Sequence, residues 1–146
     1  MLGMIRRKQN VVALILVFVM LFSVVALAVY EPFKVKLTLF ERFITLSLLP
    51  AEGNYRTLKI IRELQLELAP SEEEVKLAGL KDLEGGGTDA KDWNIVPPKE
   101  IIFGDIAKEI IVKALNKLDD EEKLTHQHVT VFEKFVTYAE KPKEGE

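Results

Sequence analysis

Apolar and polar positions divide this chain into two unlike parts. Residues 11–29 read VVALILVFVMLFSVVALAV, opening at Val11 and closing at Val29, with Ser23 as the one polar side chain and no charge. Beyond residue 31 the apolar positions recur instead at steps of three and four, the spacing of amphipathic helices. A helix as long as the first run rises about 28 Å, close to the hydrocarbon thickness of a bilayer. A buried core helix in so small a domain would keep a polar edge, and this run has none. The pattern predicts a transmembrane segment over residues 11–30, preceded by a basic flank over 1–10.

The rest of the pattern predicts a small, mainly α domain of about five helices over residues 38–140. Pro32 interrupts any continuous helix, which leaves residues 31–37 as a short tether. From Tyr30 to Thr38 such a tether reaches at most about 25 Å. Thr38 and Glu41 have the spacing of a capping box for a helix through about Leu49, and Pro50 ends it. Asn54 caps a second helix from Tyr55 to about Leu68, with Tyr55, Leu58, Ile61, Leu64 and Leu68 assigned to its inner face. Ser71 and Glu74 form another capping box, opening a short helix that stops at Gly79.

Gly85, Gly86 and Gly87 mark residues 84–92 as a flexible, unburied loop. After it, residues 93–96 and 100–103 are candidates for a short β-hairpin around Pro97 and Pro98, although two prolines restrict the connection. Asp105 caps the clearest helix, running to Leu118 with Ile106, Ile110, Ala114, Leu115 and Leu118 inward. Thr125 caps a last helix to about Tyr138, with Val129, Phe132, Phe135 or Val136, and Ala139 on its apolar face. Residues 141–146 are a frayed tail.

Two membrane readings follow from the leader. Its length favours an uncleaved single-pass anchor, whereas Ala26, Leu27 and Ala28 form an A-x-A pattern suited to cleavage before Val29, which would make the domain a secreted or periplasmic protein. The length decides for the anchor. Arg6, Arg7 and Lys8 favour a cytoplasmic N-terminus, a bias that Lys34, Lys36 and Arg42 weaken from the other side.

Composition narrows the functional classes. The chain has 146 residues, 29% charged and 48% hydrophobic, a balance that argues against intrinsic disorder. With no cysteine, disulfides, thiolate metal sites and cysteine nucleophiles are excluded. The leader's three basic residues carry +3 of a total of −3, so the remainder stands at −6. A domain so acidic is not expected to bind nucleic acid nonspecifically.

No catalytic, cofactor-binding or metal-ligating set stands out, and the chain reads as a non-enzyme. His126 and His128 would point about 200° apart on a helix and cannot share a metal from one turn. The acidic run from Asp119 to Glu122 lacks the alternating oxygen ligands and glycine turn of a calcium loop, and reads as solvated. The glycine run is followed by no Gly-Lys-Ser/Thr and opens no helix, so it reads as a linker rather than a phosphate loop. Trp93, the single tryptophan, is a core residue in the plain reading and a partner-contact anchor in the sharper one.

Several stretches together resemble small uncharacterised proteins encoded by phages and prophages. They are LTLFER from Leu37, LPAEGN from Leu49, TLKIIR from Thr57, SEEE from Ser71, KLTHQH from Lys123 and FEKFV from Phe132, spanning about residues 36–137. The resemblance implies no activity. Members of that group begin near the first soluble helix, which makes the leader an addition peculiar to this chain or a mis-assigned start. The sequence therefore points to a membrane-tethered helical protein–protein interaction module, and the resemblance implies a viral or prophage accessory or structural protein. It would contact lipid through residues 11–29 and an unidentified protein partner through the domain. The alternative is a soluble accessory protein, exported after cleavage or cytosolic.

Overall fold

A computed structural model of the chain describes residues 32–138. The apolar segment 11–29, its basic flank, the cleavage point after Ala28, Ala139 and the tail 141–146 lie outside the described residues. Among the described residues no helix is long and apolar enough to cross a membrane.

The first element is a strand where the sequence suggested a tether. Strand β1 (Phe33–Leu37) pairs antiparallel with β4 (Lys99–Phe103), in a register that sets Phe33 opposite Phe103 and Leu37 opposite Lys99. Alternation explains it: Val35 and Leu37 point inward while Lys34 and Lys36 point out, the period-two pattern of a half-buried strand. The expected hairpin is corrected by the same pairing. Its second half is β4, but its partner comes from the start of the domain, and residues 93–96 form turns because Pro97 and Pro98 cannot extend a ladder beside them.

The first three helices start where the caps place them, and the last two do not. Helix α1 (Leu39–Ser47) opens on a complete Thr38–Glu41 capping box. Helix α2 (Tyr55–Leu68) opens on Asn54, whose side chain accepts from the Thr57 amide. Helix α3 (Glu72–Ala78) opens on the Ser71–Glu74 box and closes on Gly79 at φ 63, the left-handed conformation that favours glycine. Helix α4 (Asp105–Asp120) is capped by Gly104, so Asp105 is its first residue rather than its cap. Helix α5 (Val129–Phe132) starts after His128 rather than after the expected Thr125 cap, because residues 126–128 form a turn. It continues into a π-helical turn over Glu133–Thr137, in which the Tyr138 amide donates to the Glu133 carbonyl at 2.8 Å.

The stretch 84–92 is not a loop throughout. Strands β2 (Lys81–Asp82) and β3 (Thr88–Asp89) pair across a turn in which all three glycines have φ near 100°. Ala90 is half-buried.

The main core lies between the inner face of β1–β4 and the helices. Val35, Leu37, Ile101 and Phe103 meet Leu64 and Leu68 of α2, Ala107, Ile111 and Leu115 of α4, and Val131 and Phe135. Phe33, Phe103 and Phe135 pack as three tilted or edge-on rings with centroids 5.0 to 6.3 Å apart. A smaller cluster of Leu39, Ala78 and Val96, with Phe43, Leu80, Ala90 and Trp93 against it, joins α1 to the segment between α3 and β4.

Three inner faces differ from the sequence expectation. In α5 the buried position is Val131, while the expected Val129 lies exposed, because the helix starts later than Thr125. In α4 the buried positions are Ala107, Ile111 and Leu115, one residue on from the expected Ile106 and Ile110. In α2, Ile61, Leu64 and Leu68 are buried, while Tyr55 and Leu58 turn outward. Steps of three advance only about 300° around a helix, so a run at 55, 58, 61 and 64 rotates through half a turn instead of holding one face.

Candidate interaction surface

Helix α1 carries adjacent opposite charges into the interior. Glu41 and Arg42 are both buried, and they point to different neighbours. The Glu41 carboxylate accepts from the Thr38 amide at 2.8 Å and from Lys134 Nζ at 2.6 Å, and the same ammonium donates to the Lys36 carbonyl at 2.9 Å. Arg42 Nη2 donates to Glu74 Oε1 at 2.7 Å, while the other Glu74 oxygen accepts from the Ser71 amide. Each capping-box glutamate therefore holds its own helix start and a cation from a distant element.

Burial is the largest single influence on the Glu41 carboxyl and opposes ionisation. The Lys134 and Thr38 hydrogen bonds, the Lys134 charge and a hydrogen bond from Thr130 outweigh it and leave the pKa below the usual carboxylate value. For Glu74, burial is again the largest influence, outweighed by hydrogen bonds from Arg42 and the Ser71 amide and by the charges of Arg42 and Lys99. Both groups are held ionised by fixed partners, an arrangement suited to fastening elements in one packing.

The other polar residues singled out from sequence have local roles. His128 Nδ1 accepts from the Thr125 amide at 3.1 Å, which closes the turn before α5, while His126 is exposed. Asp119 and Asp120 end α4, and Glu121 pairs with Lys123 at 2.7 Å. Among the described residues no group of three or more His, Cys, Asp or Glu is placed to hold a metal ion. Trp93 is half-buried, edge-on to Phe40 at 5.2 Å and to Phe43 at 5.5 Å. It fastens the segment after the β2–β3 hairpin onto α1.

The surface with an unspent apolar face is α2. Tyr55 is 85% exposed and Leu66 74%, and Leu58 lies exposed on the same outer side. Beside them a groove of about 680 Å³ runs between α2 and the start of α4, lined in part by Ile60, Leu66, Ile102 and Ile106. Ile102 is 57% exposed there, on the outer face of β4. The charges along α2 are ordered against its own dipole. Arg56, Lys59 and Arg62 fill the first half, Glu63 and Glu67 the second, with no acid in the first turn and no base in the last. Each such charge near a helix end costs about 0.3–1 kcal/mol relative to the reverse order.

Sequence reasoning missed this face by placing Tyr55 and Leu58 in the core. Leu66 was the available signal, because it falls off the stripe formed by Ile61, Leu64 and Leu68. An amphipathic helix needs one apolar stripe, and α2 has two. No family model, curated protein or solved structure matches the chain.

Proposed function

We propose that this chain is a membrane-tethered helical protein–protein interaction module, with residues 11–29 as its tether and the outer face of α2 as its docking surface. The observation that carries the reading is the exposure of Tyr55 and Leu66 beside an open apolar groove, bordered by charged residues. Large apolar side chains grouped in this way cost solubility unless a partner covers them. The tether rests on the uncharged run itself, which matches the thickness of a bilayer. A viral or prophage accessory role rests on the resemblance of residues 36–137 alone. Trp93 is a secondary contact candidate through the part of its ring that Phe40 and Phe43 leave open.

Two experiments test the two halves. The full chain should pellet with membranes, resist alkaline carbonate and keep an intact N-terminus by mass spectrometry. A mature chain beginning at Val29 would support the alternative reading, an exported soluble protein, which the Ala26-to-Ala28 pattern favours. A photo-crosslinking residue in place of Leu66 should give a covalent protein adduct in cells, whereas one in place of Lys113 should not. Absence of any adduct at position 66 would remove the docking surface.

A further inference from the structure

Resting on that reading of α2, we propose that the occupant of its outer face is a second copy of this chain, packed helix against helix in antiparallel orientation about a two-fold axis near Arg62 and Glu63. The charge order is the first support. Arg56, Lys59 and Arg62 precede Glu63 and Glu67, so an antiparallel copy sets each basic half against an acidic half. Arg56, Lys59, Arg62 and Glu63 make no ion pair within 4 Å among the described residues, while Glu67 is shared with Lys99 at 3.6 Å.

The helix dipole is the second support. The basic first half and acidic second half are unfavourable for α2 alone, and an antiparallel copy brings its opposite helix end and opposite charges to each. A parallel arrangement would put like charges together and repeat the conflict.

The apolar spacing is the third. An axis between Arg62 and Glu63 sets Arg62 of each copy against Glu63 of the other and brings Leu58 of each copy within one residue of Leu66 of the other. Such a contact is isologous: one patch serves both copies and the assembly closes as a dimer. Leu66 and Glu63 also line the groove beside α2, so the helix contact continues into that hollow.

The absence of cysteine makes the geometry directly testable in the full chain. In membranes or detergent, mild oxidation should link the Arg62→Cys or Glu63→Cys variant to its copy, because these positions flank the axis. The Tyr55→Cys variant should stay unlinked, since antiparallel packing separates the two copies of that position by roughly 22 Å. Arg62→Glu should weaken the dimer by roughly tenfold or more by setting like charges together, and adding Glu63→Arg should restore it. Linking at position 55 as readily as at 62, or no linking at 62 and 63, would overturn the proposal. If the dimer is absent while photo-crosslinking at position 66 still captures a different protein, self-association fails and the docking surface stands. If neither is seen, both fall.

Discussion

Arg42 Nη2 lies 2.7 Å from Glu74 Oε1, joining the first turn of α1 to the first turn of α3 through a guanidinium that is 1% exposed. The neighbouring Glu41 reaches the opposite way, to Lys134 near the end of the described chain. Two consecutive residues thus fix α1 between elements distant in sequence. Hydrogen bonds at both ends of each pair offset part of the cost of burying these charges, while Arg42 Nε is buried without a hydrogen-bond partner among the described residues. Removing one partner should therefore hurt more than removing an exposed ion pair. Arg42→Ala is expected to cost about 3–5 kcal/mol, because Glu74 loses its cation and the site is emptied. Lys113→Ala, which breaks an exposed pair with Glu109, should cost less than about 0.5 kcal/mol. Urea unfolding of the two variants makes the comparison.

The same pairs set an acid dependence. The folded-state pKa values of Glu41 and Glu74 lie below the ordinary 4.5. A carboxylate depressed in this way stabilises the fold above its unfolded pKa, and that stabilisation is lost as pH falls through the folded value. Melting temperature should accordingly hold between neutrality and about pH 5 and drop below about 4.5. Glu74→Gln should lower stability at neutral pH and flatten the acid decline.

Strand β1 makes residues 33–37 part of the fold. A chain beginning at Thr38 would lose the buried Val35 and Leu37, leave β4 without a partner and remove Phe33 from the rings of Phe103 and Phe135. It should show no cooperative thermal transition by circular dichroism, whereas a chain beginning at Pro32 should melt cooperatively.

Limited proteolysis should cut first between Glu84 and Gly87, at the tip of the β2–β3 turn, where the backbone is exposed. Residues 88–91 should resist longer, since Thr88 and Asp89 are paired and Ala90 packs in the smaller cluster. First cleavage on the far side of Asp89 would show that this hairpin does not persist.

The elements legible in the sequence were those specified by near neighbours. Both capping boxes, the Asn54 cap and the Gly79 stop each depend on residues within a few positions, and all four are present. The β1–β4 pairing joins segments about sixty residues apart, and no local signal at Phe33 names Lys99 to Phe103 as its partner. Helix faces were intermediate. Leu115 and Leu68 are buried as expected, but Tyr55 and Ile106 lie outward because the inner stripe is set by the sheet and aromatic rings it packs against. The ion pairs of Glu41 and Arg42 were invisible for the same reason, since Lys134 and Glu74 are brought in by tertiary packing.

On the proposed reading, the outer face of α2 is kept apolar for a partner and not for the fold. The measurement that tests it most directly is paired: thermal unfolding and association state of the full chain carrying Tyr55→Ser together with Leu66→Ser. Both side chains are largely exposed, so stability is expected to change by no more than about 0.5 kcal/mol per site, while association through this face is lost. A large fall in melting temperature, or association that persists unchanged, would contradict the account.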